Sequence, residues 1–319
     1  MDDQDAATVT ESERRETPPE WGDATWTDLA DAGLGVVPGG SRGADSNRAA
    51  DERATRPLGS RVLALLPVGA VEAHGPHLPL VTDVVIARAA AAAALPGLRS
   101  LGFHPLLLPP LAYTAAPFAA GFPGTISVRP ATFTALLADV AASLEGQGVA
   151  ALVVVNAHLD PAHLAAIGDG VRAHATRVAG PAHADGSPKP APGAPPAGDG
   201  AMPVVHPDIT ERRWASRLTD EFRSGACHAG RYETSVVMAA APELVRDAAR
   251  QGLAANPASL SRAIRDGAAT FEDAGVSDAY CGDPAAATRE EGENTVAALA
   301  AIVVDAVVER LGAAREGTR

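Results

Sequence analysis

Cysteine is almost absent from the 319-residue chain, which has only Cys227 and Cys281. Two thiols supply neither a disulfide framework nor a cysteine-based zinc site, and the expected state is a reduced pair. Clustered basic residues are also missing, and the formal net charge is -13. A polyanion partner is therefore excluded, because nucleic-acid binding rests on phosphate neutralisation by lysine and arginine. Long apolar runs are lacking too. VVIARAAAAAAL is the nearest candidate, and its arginine and alanines leave it far short of the ~20 strongly apolar residues of a membrane span. The opening MDDQDAATVTESERRE is acidic where a secretory leader would be basic and then apolar. These absences predict a cytoplasmic protein with no membrane or nucleic-acid partner.

What is present is a globular composition, 46% hydrophobic. Large apolar side chains are sparse over residues 1–60, apart from Trp21, Trp26 and the WTDLADAGLGVV segment, so an N-terminal extension, largely flexible, is expected there. A second thin stretch, AHADGSPKPAPGAPPAGDG at 182–200, reads as a flexible Pro/Ala-rich insertion. One domain is expected over 61–315. RVLALLPVG (61–69) and VAALVVVNA (149–157) are continuous apolar runs of strand length, as in strands covered on both faces. Each leads into a polar loop and then an alanine-rich helical pattern. LLLPPLAY and GTISV add short extended pieces, ATFTALLADVAASLEGQG reads as a helix stopped by glycine, and VAALAAIVVDAVVERL as a last helix. The predicted class is α/β, a three-layer α/β/α arrangement around a mostly parallel sheet.

The two polar loops carry the chemistry. In an open α/β sheet, ligands bind beyond the carboxyl ends of the strands. EAHGPHLPLVTD (72–83) follows the first strand and NAHLDPAH (156–163) follows the later one. Glu72 and His74, like His158 and Asp160, are two apart, so in extended chain they share a side. Asp83 and Asp160 also stand where helix caps are expected, but capping does not explain the histidines. His104, His174, His183 and His206 read as structural, and His163 as a histidine behind the site. Imidazoles mixed with carboxylates, without thiolate, suit zinc, manganese or another divalent first-row metal. Five such groups exceed what one catalytic zinc uses, whereas two ions bridged by a carboxylate use them well.

These motifs resemble the creatininase (creatinine amidohydrolase) family. LPVGAVEAHGPHLPLVTD, FPGT (122–125), NAHLD, HAGRYETS (228–235) and GDPAAATREEG (282–292) stand in that family's order over residues 62–311. The resemblance implies a creatininase-like fold, a homo-oligomer of hexameric form, and two divalent ions per chain, zinc first, with manganese or iron as alternatives. It implies one ion on Glu72, Asp83 and His158, and the other on His74, Asp83 and Asp160. His228 and Glu233 would be catalytic, His228 as an acid/base near neutral pKa and Glu233 as a further ligand or an acceptor behind one. The implied activity is hydrolysis of a carbon–nitrogen bond in a small cyclic amide or formamide, with a peptide-processing enzyme or a silent metal-binding scaffold as alternatives. Ala116, Ala119, Leu159 and Ser224 replace groups that in creatininase touch creatinine, which argues against creatinine as the small-molecule substrate.

Overall fold

Strand β1 (Val62–Val68) is buried at every position and lies at the centre of the sheet, as its unbroken apolar sequence requires. The computed structural model describes residues 20–25, 28–29, 34–35, 61–179 and 201–312. The Pro/Ala-rich stretch at 182–200 and most of the N-terminal extension lie outside the described residues. From the extension, Trp21 and Leu29 pack against the core and Leu34 is buried in it.

Helix α1 (Thr82–Ser100) follows β1, then β2 (His104–Leu107), α2 (Pro130–Glu145), β3 (Ala151–Asn156) and α3 (Pro161–Ala179). Beyond these come β4 (Val204–Val205), α4 (Arg212–Ala215), α5 (Asp220–Ser224), α6 (Arg231–Ala240), α7 (Asp247–Gln251), α8 (Leu260–Arg265) and α9 (Arg289–Leu311). The strand order is β2-β1-β3-β4, and every pairing is parallel. The GTISV segment forms only one isolated bridge, Val71 to Ile126, rather than a strand. No helix among the described residues is long and apolar enough to cross a membrane.

Alternation along the strands divides the interior into two cores. Leu63, Leu65, Val153 and Val155 face α1, α6 and α9. Val62, Ala64, Leu66, Leu152 and Val154 face the other way, onto Phe133 and Leu137 of α2 and Ile167 of α3. Successive strand side chains point to opposite faces, so a sheet buried on both sides needs apolar residues throughout. The result is the three-layer arrangement expected. β1 and β3 run in register from Leu63 opposite Ala151 to Val68 opposite Asn156. Both therefore end at one level, and the two polar loops leave side by side.

Helix α9 begins seven residues before the apolar stretch that marks it in the sequence. Thr288 caps it, its Oγ1 accepting from the Glu291 amide at 3.1 Å, and Ser235 Oγ accepts from the Thr288 amide at 3.1 Å. This anchors α9 on α6 so closely that a Cβ on Gly292 would stand 1.8 Å from the Ser235 carbonyl oxygen. Backbone cannot retreat as a flexible side chain can, so Gly292→Ala is expected to cost about 1–3 kcal/mol, the range for overpacking. Thermal unfolding would show this as a melting point lowered by several degrees; an unchanged value would mean that the helix pair separates freely.

Candidate metal centre

Asp83 stands in the first turn of α1 and is buried. It comes this close to the strand end because Gly69 has no side chain: a Cβ there would lie 2.5 Å from the Val84 nitrogen and 2.8 Å from the Asp83 Cβ. The two carboxylate oxygens of Asp83 address different histidines. Oδ1 is 3.1 Å from His74 Nε2, and Oδ2 is 3.1 Å from His158 Nδ1. Glu72 Oε1 approaches His158 Nδ1 at 3.2 Å, while Glu233 Oε2 lies 3.5 Å from His74 Nε2. Two three-residue groups share Asp83: Glu72 with His158, and His74 with Glu233. All five side chains are buried.

Backbone carbonyls fix which ring nitrogen of each histidine faces inward. His158 Nε2–H donates to the Ala115 carbonyl at 2.9 Å, leaving the Nδ1 lone pair towards Glu72 and Asp83. His74 Nδ1–H donates to the Glu72 carbonyl at 3.1 Å, leaving Nε2 towards Asp83 and Glu233. Such outer hydrogen bonds are how metal-binding imidazoles are oriented. A lone pair pointed at two carboxylates within a buried site is a repulsive arrangement that a proton or a metal ion relieves.

The electrostatics agree. Burial opposes a charge on His74, but Asp83, Glu233 and Glu72 outweigh it and lift its pKa to about 10. Burial likewise opposes the charge on His158, yet Glu72 and Asp83 raise it well above the usual imidazole range. For Asp83, burial opposes ionisation and the two histidines prevail, holding it well below the ordinary carboxylate value. Burial, with repulsion from Asp83 and Glu72, pushes Glu233 up to about 8 despite the attraction of His74. Without a metal ion the cluster gathers protons, and the donor set of nitrogen and carboxylate oxygen fits one or two divalent first-row ions.

Asp160 does not join either group. Its Oδ1 accepts from the Ala162 amide at 2.8 Å, capping α3, and its Oδ2 accepts from the Phe118 amide at 3.1 Å. The carboxylate that the resemblance placed on the second ion thus accepts from two backbone amides, and the carboxylate grouped with His74 and Asp83 is that of Glu233. Glu233 reaches there from the first turn of α6, where its Oε2 also accepts from the Ala229 amide at 2.7 Å. Ala229 adopts φ 50°, a left-handed conformation unusual for a residue with a Cβ.

His228 lies beside the cluster, its ring 4.3 Å from that of His74 and 4.5 Å from that of Phe271. Its Nε2–H donates to the Ala73 carbonyl at 2.9 Å, and its Nδ1 is 4.0 Å from Glu72 Oε1. Burial, then the charge on His74, presses its pKa down to about 3. Without a metal ion the ring is thus neutral, and its Nδ1 makes no hydrogen bond among the described residues. His77, the other histidine of the first motif, turns away to Thr234 Oγ1 at 2.9 Å.

Two residues behind the site, Asn156 and Glu221, are not among the site residues expected from the sequence. Asn156 Nδ2 donates to the His158 carbonyl at 2.7 Å, and Asn156 Oδ1 accepts from His163 Nε2–H at 3.0 Å. Burial pushes His163 down to about 2, so it serves as a neutral donor in that chain. Glu221 accepts from the amides of Tyr232, at 2.6 Å, and Asp283, at 2.7 Å. It thereby ties together the two motif loops nearest His228.

The cluster opens into a cavity of about 440 Å³. Glu72, Asp83, His158, His228 and Glu233 line it, and so does Asp160. Its other walls include Phe118, Leu159, Leu164, Phe222, Leu260 and Phe271. The last two come from a segment that carries no motif.

Residues 47–307 match a family model described as creatininase, creatinine amidohydrolase. A mycofactocin precursor peptide peptidase of Mycolicibacterium smegmatis is 30% identical over 247 residues, covering 76% of this chain and 83% of that protein. Another protein of the same name, from Mycobacterium ulcerans, is 32% identical over 258 residues, covering 77% and 83%. Among solved structures, a creatinine amidohydrolase (creatininase) superposes with a TM-score of 0.60 at 23% identity, over 83% of this chain and 96% of that one. A mutant creatininase of Zn–Zn type gives 0.59 at 23% identity, over 83% and 97%. A structure named Creatininase Mn gives 0.59 at 22%, over the same shares.

Proposed function

Because the chain belongs to the creatininase family, we propose that it is a metal-dependent hydrolase that cleaves an amide bond in a short peptide. The observation that carries this reading is a buried cluster of two histidines and three carboxylates at the base of an apolar-walled cavity of about 440 Å³. That volume lies within the ~300–1,000 Å³ of small-ligand sites and suits more than one amino-acid residue. Likeness to peptide peptidases at 30–32% identity supports the peptide over the cyclic amide that the motifs alone suggest. Ala116 and Ala119 are buried and apolar, and Leu159 lines the cavity, so they offer no side-chain polar group to a creatinine-sized ring. The complete ligand set and the open Nδ1 of His228 argue against a silent scaffold.

In this reading Glu72, Asp83 and His158 would hold one divalent ion and His74, Asp83 and Glu233 the other. When bound, such a pair polarises a carbonyl oxygen and makes water a stronger nucleophile at neutral pH. The chain's own residues supply the rest. The Ala115 and Glu72 carbonyls keep His158 and His74 in the ligating tautomer. Phe118, Leu159 and Phe271 exclude water from around the scissile bond. His228 Nδ1 accepts a proton and passes it to the leaving nitrogen, which would otherwise depart as an amine anion. Asp160 braces the Phe118 wall against the start of α3.

Purified protein loaded with zinc or manganese should be screened against apolar tri- to hexapeptides, creatinine, other cyclic amides and formamides. The expected outcome is release of a new amine from peptides, abolished by a chelator and restored by the metal, with no turnover of creatinine. Cyclic-amide turnover without peptide cleavage would sink the peptide reading.

A further inference from the structure

Apart from its metal-binding floor and the buried Asp160 beside it, the cavity is lined by two charged side chains, Arg223 and Arg265. Both are exposed, whereas the carboxylates of the floor are buried, so negative charge lies at the bottom and positive charge at the mouth. Arg223 is committed: it donates to the Leu218 carbonyl at 2.6 Å and pairs with Asp220. The Arg265 side chain makes no ion pair or hydrogen bond among the described residues. Its helix is nonetheless firmly set. The Leu260 amide donates to the Gly225 carbonyl at 2.8 Å, and Ser259 Oγ donates to the Ser224 carbonyl at 2.9 Å, so α8 is tied to the end of α5.

We propose that Arg265 selects substrates carrying a carboxylate, holding that group at the cavity mouth while the amide bond lies over the metal centre. This deepens the peptide-hydrolase reading and rests on it. A guanidinium offers paired N–H donors that match the two oxygens of a carboxylate. Between mouth and floor, Leu159, Leu164, Phe222, Leu260 and Ile264 line the cavity, so the portion of substrate that joins carboxylate to scissile amide is apolar. The whole-molecule charge of -13 disfavours anions in general. An uncommitted arginine at this one opening supplies a local exception, sized for a single charge rather than a polyanion. The carboxylate can belong to a chain terminus or to an acidic side chain, and both present the same group.

Three acetylated peptides separate these cases: Leu-Val-Leu as the free acid, the same peptide as its terminal amide, and the amide with Asp in the last position. With metal-loaded enzyme, kcat/KM is compared where cleavage occurs, and calorimetric Kd where it does not. The free acid is expected to be favoured over its amide by at least about fivefold, as for a partly shielded charge-assisted contact. That advantage should fall within about twofold in Arg265→Gln and partly return in Arg265→Lys, which keeps the charge without the fork. If the Asp-containing amide matches the free acid, a side-chain carboxylate serves; if it behaves as the plain amide, a chain terminus is required. A wild-type preference below twofold, or one undiminished in Arg265→Gln, would overturn the proposal. Absence of cleavage with the carboxylate preference retained in Kd would remove the peptide-hydrolase reading and support the carboxylate site.

Discussion

Asp83→Asn is expected to empty both metal positions at once. Each carboxylate oxygen lies 3.1 Å from a different histidine nitrogen, Oδ1 from His74 Nε2 and Oδ2 from His158 Nδ1. An amide in that place removes the shared negative charge and turns N–H donors towards one of the two lone pairs that must receive an ion. Elemental analysis should give about two ions per wild-type chain and nearly none in the variant, as befits a bridging carboxylate. Two further substitutions isolate the positions. Glu233→Gln should lose the ion beside His74 and keep the one beside His158, whereas Asp160→Ala should keep both, because that carboxylate lies outside both groups and braces the Ala162 and Phe118 amides. The pH dependence has a definite sign. With His74 lifted to about 10 and Glu233 to about 8, the metal-free cluster carries protons at neutral pH, and ions must displace them. Apparent metal affinity should therefore rise with pH through the neutral range and fall on acidification. A single ion per chain, indifferent to Asp83, would refute the shared centre.

Which parts of this centre could be read from the chain itself follows from how local each cause is. β1 and β3 were legible because strands covered on both faces must be apolar at every position, and RVLALLPVG and VAALVVVNA are. The meeting of their loops followed from parallel strands ending together. Glu72, His74, Asp83 and His158 belong to those loops and are brought together. The grouping of Glu233, rather than Asp160, with His74 and Asp83 was not local. It depends on Asp160 being drawn to the Phe118 amide, 42 residues away in sequence, and on α6 starting where it turns Glu233 back over Ala229. The motifs give Leu159 of the cavity wall but not Leu260, Ile264 and Phe271, which come from a segment that carries no motif. The early start of α9 was in principle visible: Thr288 followed three residues later by Glu291 is a capping signal that the apolar pattern from 296 onwards overshadows.

The second large effect concerns His228, whose replacement by alanine should leave the metals in place and stop turnover. Hydrolysis of an amide needs one proton removed from water and one delivered to nitrogen, and a side chain able to do both must have a free lone pair at the site. His228 has it. Its Nε2–H is fixed on the Ala73 carbonyl, so Nδ1 is left towards Glu72, 4.0 Å from its Oε1, and the ring is held between His74 and Phe271. In the metal-free cluster burial and the charge on His74 press its pKa down to about 3, so the ring is neutral there and Nδ1 is an acceptor. The strained Ala229 next to it and the Glu221 clamp on the following turn keep that ring from swinging away. His228→Ala, assayed on the best peptide from the screen, is expected to lower kcat by about 100- to 10,000-fold, the usual worth of positioned acid/base catalysis. KM should change little, since the lost interaction is made as protons move rather than as substrate binds. A metal count near wild type would place the ring in the chemistry, whereas loss of an ion would make it a third nitrogen ligand beside Glu72 and His74. Normal turnover by a folded, metal-replete variant would leave proton transfer to water alone and remove His228 from the mechanism.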